Sequence, residues 1–197
     1  MRINDPTSLR ALAHPLRLDL IELLGTIGPA TAATCARHLG VSQASASFHL
    51  RQLETYSFTE RAPATDDRRE RPWRVTDIEQ SWSSVDSGAA AQALEQVFVE
   101  REAARILTWS AEKDQPEKWR RASFLGGATV PLTAAELTEI GAQLSAVLAP
   151  YLTRLGAPDT VPEGARFIRV LLAGTPLPHL DPDPTDSEVQ HDHDPDD

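Results

Sequence analysis

The feature that most constrains this chain is a narrow apolar stripe that follows a glycine in its first third. Ala46, Leu50 and Leu53 are spaced four and three residues apart, so a helix places them on one face. Ser42 is suited to cap the start of that helix. Gly40 can adopt the left-handed conformation that ends the helix before it. The pattern predicts two short helices joined by a tight turn, a helix-turn-helix.

The outward arc of the second helix has the composition of a surface that meets a polyanion. It has no carboxylate before Glu54, and it carries Gln43, Ala44, Ser45, Ser47, Phe48 and Arg51. The start of the helix also offers free backbone N–H groups and the positive end of the helix dipole. We therefore expect contact with nucleic acid. The alternative is a pair of amphipathic helices in an all-α fold that binds no nucleic acid.

The acidic balance of the chain does not exclude DNA, because the charge is unevenly distributed. The net charge is −10 over 197 residues. Residues 1–76 hold 10 Arg against 8 Asp or Glu, which gives +2, and the later residues therefore carry −12. One cysteine, no signal-peptide pattern and no apolar run of membrane length predict a cytoplasmic protein without a membrane partner.

Elements before and after the helix pair complete a small domain, which we place at residues 1–80. Leucines in residues 8–24 mark a helix that Pro15 interrupts. Phe58 begins a strand, and Pro72 to Val75 forms the returning strand of a β-hairpin wing. Its tip carries Arg68, Arg69 and Arg71, which we expect to reach DNA phosphates or the minor groove. The alternative is a solvated loop, since Asp66, Asp67 and Glu70 nearly neutralise it.

Three segments in order resemble one family. LRALAHPLRLDLIELL, ATAATCARHLGVSQASASFHLRQLE and RERPWRV, all within residues 8–76, are similar to the ArsR-type winged helix-turn-helix repressors with an RERxWR segment after the wing. The resemblance implies a homodimeric transcriptional regulator whose second helix enters the major groove of a pseudo-palindromic operator. It implies base contacts by Gln43, Ser45, Ser47 and Phe48, with Ala44 beside them, and backbone contacts by Ser42, His49 and Arg51.

Two positions depart from that family pattern. Phe48 stands where the family often has His or Tyr, so it can touch a thymine methyl but cannot donate a hydrogen bond. Ser57 stands where a glycine usually precedes the first wing strand. The helix-borne metal site of the family needs thiolates at the places of Thr31 and Ala33, and neither residue binds a soft metal. We interpret Cys35 as a core residue, and expect no metal and no cofactor.

The chain after residue 87 is predicted to serve assembly. Residues 88–114 read as a long helix whose apolar face pairs with its twin in a homodimer, or alternatively packs on residues 119–175 of the same chain. Residues 115–178 read as a small α+β domain. It combines a helix capped by Thr133 and Glu136 with strands in RRASFLGGATVPL and ARFIRVLLAG. Residues 179–197 form an acidic tail that we expect to be disordered.

The aromatic residues of the small domain leave one question open. Trp119, Phe124, Tyr151 and Phe167 either line a pocket for an unknown small-molecule effector or form plain core. The sequence shows neither a nucleophile beside a base nor a pair of catalytic carboxylates, so no catalytic residue is assigned.

Three functions remain in competition. The mainly α fold with a β-wing favours a sequence-specific regulator of double-stranded DNA, a homodimeric repressor. A winged helix used only for protein contact is the first alternative. The second is a remnant of a methyltransferase, but such enzymes need a glycine-rich turn that opens a helix, and Gly126-Gly127 lacks that context. We therefore expect no enzyme.

Overall fold

The protein is described by a computed structural model over residues 2–63, 71–77, 81–82, 84–112, 114–156 and 158–180. The described elements are β1 (Arg2–Ile3), α1 (Pro6–Leu12), α2 (Pro15–Ile27), α3 (Ala32–Leu39), α4 (Gln43–Thr55), β2 (Thr59–Arg61), β3 (Trp73–Val75), β4 (Ser81–Trp82), α5 (Ser84–Ala111), α6 (Glu117–Ala122) and α7 (Ala134–Leu152). Short 3-10 turns follow at Thr153–Gly156, Pro158–Thr160 and Pro178–Leu180. The chain divides into two compact units, residues 1–128 with 149–166, and residues 129–148 with 167–197.

The first helical segment is broken where the sequence predicts. Helix α1 ends at Leu12 and α2 begins at Pro15, whose missing N–H is harmless in the first turn of a helix. The Nδ1 atom of His14 accepts a hydrogen bond from the backbone N–H of Leu16 at 3.2 Å and so caps α2. The two helices bury their leucines in the centre of the domain: Leu9, Leu12, Leu18, Leu20 and Leu24.

Helices α3 and α4 form the predicted helix-turn-helix. Gly40 ends α3 in the left-handed conformation, with φ 65°. The hydroxyl of Ser42 accepts a hydrogen bond from the backbone N–H of Ser45 at 3.1 Å and starts α4. Among the α4 residues, Ala46, Leu50 and Leu53 are buried. These contacts confirm the apolar stripe on which the prediction rests.

The wing is a two-stranded antiparallel sheet whose first strand begins one residue after the predicted Phe58. Thr59 pairs with Val75, and Ala30 pairs with Trp73 through two backbone hydrogen bonds of 2.9 and 2.8 Å. Trp73 is only 1% exposed and anchors the returning strand in the core. The hydroxyl of Thr59 donates to the carbonyl of Leu50, which fixes the wing to α4. The predicted tip, including Arg68 and Arg69, lies outside the described residues.

Helix α5 packs on the N-terminal helices of its own chain. A non-helical residue, Gly88 with φ 56°, separates its first turn from the rest, so the regular helix begins where the sequence places it. Leu94 and the small residues Ala90 and Ala91 are buried in the N-terminal core, where α5 lies against α1. The N-terminal half of the apolar face is thus covered within the chain, whereas Leu107 is 68% exposed. The partners predicted for this face, its twin in a homodimer or residues 119–175, stay predictions.

A cluster of ion pairs holds the middle of α5 against α2. The guanidinium of Arg101, 8% exposed, contacts Asp19 at 2.7 Å and Glu102 at 2.9 Å, and also pairs with Glu22. Burial alone would raise the pKa of Glu22, but hydrogen bonds from Arg105 and Arg101 outweigh it and lower that pKa. These hydrogen bonds therefore favour the charged form of Glu22 beside the core.

The C-terminal part departs from the predicted α+β domain. The capping box is confirmed, since Glu136 accepts from the N–H of Thr133 at 2.8 Å and donates its own N–H to the Thr133 hydroxyl at 3.2 Å. The described residues 114–156 and 158–180 contain no strand, so the strands predicted in RRASFLGGATVPL and ARFIRVLLAG are wrong. A strand needs a neighbour to pair its backbone groups, and neither segment has one within the described chain.

Two further observations concern the whole described chain. Arg2–Ile3 and Ser81–Trp82 form a short parallel pair that the sequence did not reveal. Among the described helices, none combines the length and the hydrophobicity required to cross a membrane.

Removal of the central arginine of the ion-pair cluster tests its contribution to stability. Arg101→Ala is expected to lower the free energy of unfolding by about 3 kcal/mol, because it removes the cation closest to the buried Glu102 and leaves it only the longer contact with Arg105 at 3.6 Å among the described ion pairs. Urea denaturation followed by circular dichroism measures this. The matched control is Arg121→Ala, which removes an exposed pair with Glu117 and should cost less than about 1 kcal/mol. Equal losses in both variants would show that the cluster is not a stabilising element.

A second stability prediction concerns the turn before the wing. Ser57 has φ 60°, a left-handed conformation that disfavours residues with a Cβ atom. Ser57→Gly should therefore raise the free energy of unfolding by about 1 kcal/mol. Ser57→Ala keeps the Cβ atom and should bring no gain. Thermal unfolding of both variants makes the comparison, and a gain for alanine equal to that for glycine would contradict the explanation.

Candidate nucleic-acid interface

The outward side of α4 lies free of the rest of the described chain. Gln43 and Ala44 are exposed in the first turn, and Ser45 and Ser47 are half-buried behind them. Phe48 is 52% exposed although it is large and apolar. The burial of the opposite stripe fixes this orientation, because a helix can turn only one face inward. The structure thus brings together all five residues predicted to face the bases.

Polar groups at both ends of this face remain able to bind an acceptor. The hydroxyl of Ser42 accepts its capping hydrogen bond and keeps its proton for a further acceptor. One turn before its end, α4 carries Arg51, whose Nη1 atom donates to the hydroxyl of Ser47 at 2.7 Å. This bond holds the guanidinium along the exposed face and leaves its other N–H groups available.

His49 differs from the other predicted contacts, because its ring turns toward α2. It lies 4.4 Å from the ring of His14, measured between centroids. Its Nδ1 atom is buried and has no hydrogen-bond partner among the described residues. Burial, followed by the charges of His14 and Arg17, lowers the pKa of His49. Burial and the charge of Arg17 lower the pKa of His14. The pair is therefore held in its neutral form.

Arg17 is a cation that the sequence analysis did not single out. It is half-buried on α2, and its Nε atom is shielded from solvent without a hydrogen-bond partner among the described residues. Burial lowers its pKa, yet an arginine stays charged at any ordinary pH. The feature of the sequence that could have revealed this cation is its position in the first turn of α2, three residues after His14. A buried cation without a carboxylate beside it is suited to an external anion.

The surrounding surface favours cations over acids. No Asp or Glu occurs between Glu22 and Glu54, so α3 and most of α4 carry no negative side chain. Arg37 is exposed on α3 and donates to the hydroxyl of Thr34 at 3.3 Å. Arg37 was not predicted as a contact, because the predicted contacts lie on the second helix and on the wing.

The described part of the wing adds one ordered cation. The guanidinium of Arg61 lies 3.6 Å from the centroid of the Trp73 ring and donates to the carbonyl of Arg71 at 2.8 Å. Arg71 is exposed, as expected for a phosphate contact. Arg74 instead pairs with Glu60 at 2.7 Å, across the two strands. Arg61 was not predicted, because its stacking on the tryptophan depends on the register of the hairpin.

Other predicted sites have simple structural roles. Cys35 is fully buried, and this burial raises the pKa of its thiol to about 11. Thr31 caps α3 through its hydroxyl, which accepts from the N–H of Thr34. No group of three potential metal ligands occurs among the residues searched, those that the structure describes.

The four aromatic residues considered for an effector pocket do not enclose one. Phe124 is 84% exposed, Phe167 73% and Tyr151 56%. The guanidinium of Arg166 covers one face of the Trp119 ring at 5.3 Å. A different concavity, an open groove of about 600 Å³, lies between α2 and α5, where Pro15, Val97, Arg101 and Trp109 are among its lining residues.

Comparisons with known proteins agree with the helix-turn-helix. Residues 12–61 match a family described as "Helix-turn-helix domain". The match covers the core of the predicted domain and supports a DNA-binding regulatory protein rather than an enzyme. The search of curated proteins found no match.

Solved structures give only weak likenesses. RV1404 from Mycobacterium tuberculosis is 22% identical over 59% of this chain and 78% of that chain, with a TM-score of 0.31. A mutant of ZitR from Lactococcus lactis is 20% identical over 72% of this chain and 73% of that chain, with a TM-score of 0.29. Values this low support no argument about this chain.

The histidine pair predicts a dependence of stability on pH. The folded state keeps His14 and His49 neutral, whereas in the unfolded chain they bind protons near pH 6.5. The unfolded state therefore takes up protons first, and the free energy of unfolding falls as the pH drops below about 6.5. Urea midpoints measured at about pH 7.5 and about pH 5.5 should show this loss.

A double variant isolates the pair from other titrating groups. His14→Asn keeps a side-chain acceptor for the α2 cap, and His49→Gln keeps a polar side chain. Together they should reduce the loss of stability at low pH, whereas His38→Gln on the exposed side of α3 should not. An unchanged pH dependence in the double variant would rule out the pair as its source.

Proposed function

We propose that this protein is a sequence-specific regulator that binds double-stranded DNA through α4, acts as a homodimer and represses transcription. The observation that carries the proposal is the exposed face of α4. It lacks carboxylates, starts at a capped helix N-terminus and lies opposite a fully buried stripe. Such a face can enter a major groove without leaving the domain core exposed.

Each group on the face has a distinct role in the proposal. Gln43 is suited to a bidentate contact with adenine, while Ser45 and Ser47 can donate to or accept from either base of a pair. Ala44 and Phe48 offer apolar contact to thymine methyl groups. These contacts distinguish sequences, because they touch base edges.

The phosphate contacts surround the base-reading face. Ser42, Arg51 and Arg71 are exposed donors, and the resemblance adds His49 while the sequence adds Arg68 and Arg69 at the wing tip. We add Arg17, since its Nε atom is buried without a hydrogen-bond partner among the described residues and its charge acts on the nearby His49. Phosphate contacts fix the position of the protein on the duplex but carry no direct sequence information.

The proposal includes a homodimer and a pseudo-palindromic operator. One short helix reads few base pairs, so a second copy about 34 Å away along the duplex is needed for specificity. The resemblance to ArsR-type repressors supports this arrangement and a cytoplasmic location. An effector of unknown identity would act by favouring one spacing of the two α4 helices over another. The competing function is a winged helix that contacts only proteins.

Selection of bound sites from random duplexes tests the proposal directly. The full-length protein should enrich a two-fold-related sequence, and mobility shifts should show binding that weakens steeply as salt rises. Gln43→Ala should relax sequence preference by about 1 to 3 kcal/mol at one position of each half-site, whereas Arg51→Ala should weaken binding to all sequences alike. Arg121→Ala, which lies outside the interface, should leave binding unchanged.

The result that would overturn the proposal is equally direct. If no sequence is enriched and the folded protein shows no binding at low salt, α4 does not contact DNA. Binding that is equally strong for Gln43→Ala, Arg51→Ala and the unaltered protein would have the same meaning, because the contact surface would then lie elsewhere.

A further inference from the structure

The C-terminal unit, residues 129–148 with 167–180 of the described chain, has no interior of its own. The last buried residue among those described is Glu102, so this unit contains none. Its large apolar side chains are instead exposed, to 55% at Val130, 66% at Val147, 73% at Phe167 and 62% at Ile168. Apolar surface of this kind costs free energy in water unless something covers it.

Helix α7 contributes one continuous part of this surface. Leu137, Ile140, Leu144, Val147 and Leu148 recur at spacings of three and four residues and define one face. No charged residue occurs from Ile140 to Thr153. Helices are stabilised in proteins chiefly by packing such a face, because an isolated helix is marginal in water. The capping box orders the start of α7 but does not provide that packing.

The extended segment after Ala165 contributes the second part. Phe167, Ile168, Leu171 and Leu172 are each at least 39% exposed. The segment has the composition of a strand, rich in β-branched and large apolar residues, yet it pairs with no strand of the described chain. Its failure to form the predicted strand is explained if the pairing partner belongs to another molecule.

The extent of the exposed surface indicates the kind of partner. The large apolar side chains of the unit together expose on the order of 1,000 Å². This area is similar to the roughly 800 Å² that each partner buries in an interface of standard size. The unit therefore exposes enough apolar surface for such an interface.

We propose that the C-terminal unit is the dimerisation surface, and that the apolar face of α7 and residues 167–172 are covered by the same elements of a second copy. The inference rests on the proposed function for the need for two copies, and it names the surface that brings them together. A two-fold axis lets one apolar face cover its own image. The low charge of the face suits self-association, since it offers no pattern that a charged partner would match.

The structure also argues against the apolar stripe of α5 as the main interface. That stripe is the surface first expected to dimerise, but Leu94 is already buried against the N-terminal helices and Arg101 is bound to α2. Exposed apolar residues on α5 are few, with Val99, Leu107 and Trp109 the largest. On α7, Ile140, Leu144 and Val147 are 37%, 45% and 66% exposed.

Sedimentation velocity of the full-length protein over a range of concentrations tests this without DNA. The unaltered protein should be a dimer, and Leu144→Glu with Val147→Glu should be a monomer, because both charges would enter the apolar interface. The matched control is Ala142→Glu with Ala146→Glu, which places the same charges on the opposite side of α7 and should remain dimeric. A monomeric unaltered protein, or a dimer that survives the Leu144 and Val147 changes, would overturn the proposal.

Cross-linking keeps the test decisive if the charged variant does not fold. Cys35 is buried, so Val147→Cys supplies an accessible thiol on the apolar face. A short bis-maleimide should join two copies of Val147→Cys, and should join Ala142→Cys far less. Tagged and untagged copies mixed after refolding should be captured together. If neither the cross-linking nor the joint capture is observed, a second copy does not cover the apolar face of α7.

The failure of this inference and the failure of DNA binding can be told apart. A dimer that binds no DNA would remove the regulator and keep the interface, whereas a monomer that binds a single half-site would remove the interface and the homodimer and keep DNA binding by α4.

Discussion

The burial of Ala46, Leu50 and Leu53 beneath α4 is the interaction on which the N-terminal structure depends. Each buried leucine side chain contributes about 1.5 to 3 kcal/mol by leaving water, so the rotation of α4 about its axis is fixed by this stripe. Once that rotation is fixed, Gln43, Phe48 and Arg51 can only face outward. The wing follows from the same packing, since the hydroxyl of Thr59 binds the carbonyl of Leu50 and the buried Trp73 joins the hairpin to Ala30. This packing therefore fixes the orientation of α4, and the contact between Thr59 and Leu50 holds the first wing strand beside it.

Electrostatics divides the molecule into two different environments. Between α2 and α5, Asp19, Glu22 and Glu102 are matched by Arg101 and Arg105, and the charges serve to hold two helices together. Around α4 the matching is missing. Arg17 has an unpartnered Nε atom in the described chain, Arg51 meets only a hydroxyl among the described contacts, and no acid interrupts the sequence from residue 23 to residue 53. Cations that the fold leaves unmatched near an exposed helix N-terminus are suited to a ligand with many phosphates.

The sequence predicts local features well because they depend on neighbours in the chain. The break at His14-Pro15, the left-handed Gly40, the Ser42 cap and the capping box of Thr133 all involve residues within four positions of one another. The sequence fails where the partner is distant. The packing of the His49 ring on His14, which belongs to another helix, was not predicted. Arg61 was overlooked, because only the hairpin register places it over Trp73. Two predicted strands near the C-terminus were wrong for the single chain, since a strand exists only with a paired neighbour.

What the sequence alone determined is the helix-turn-helix and the composition of its exposed face, because periodicity and caps are local and a stripe of three residues leaves one possible orientation. The tertiary structure decided which cations remain available, which face of α5 is already covered, and that the C-terminal unit is left without a core. Those outcomes depend on contacts between residues tens of positions apart, such as Arg101 with Asp19. Long-range contacts of this kind form only when the whole chain has packed, and no pattern of neighbouring residues encodes them separately.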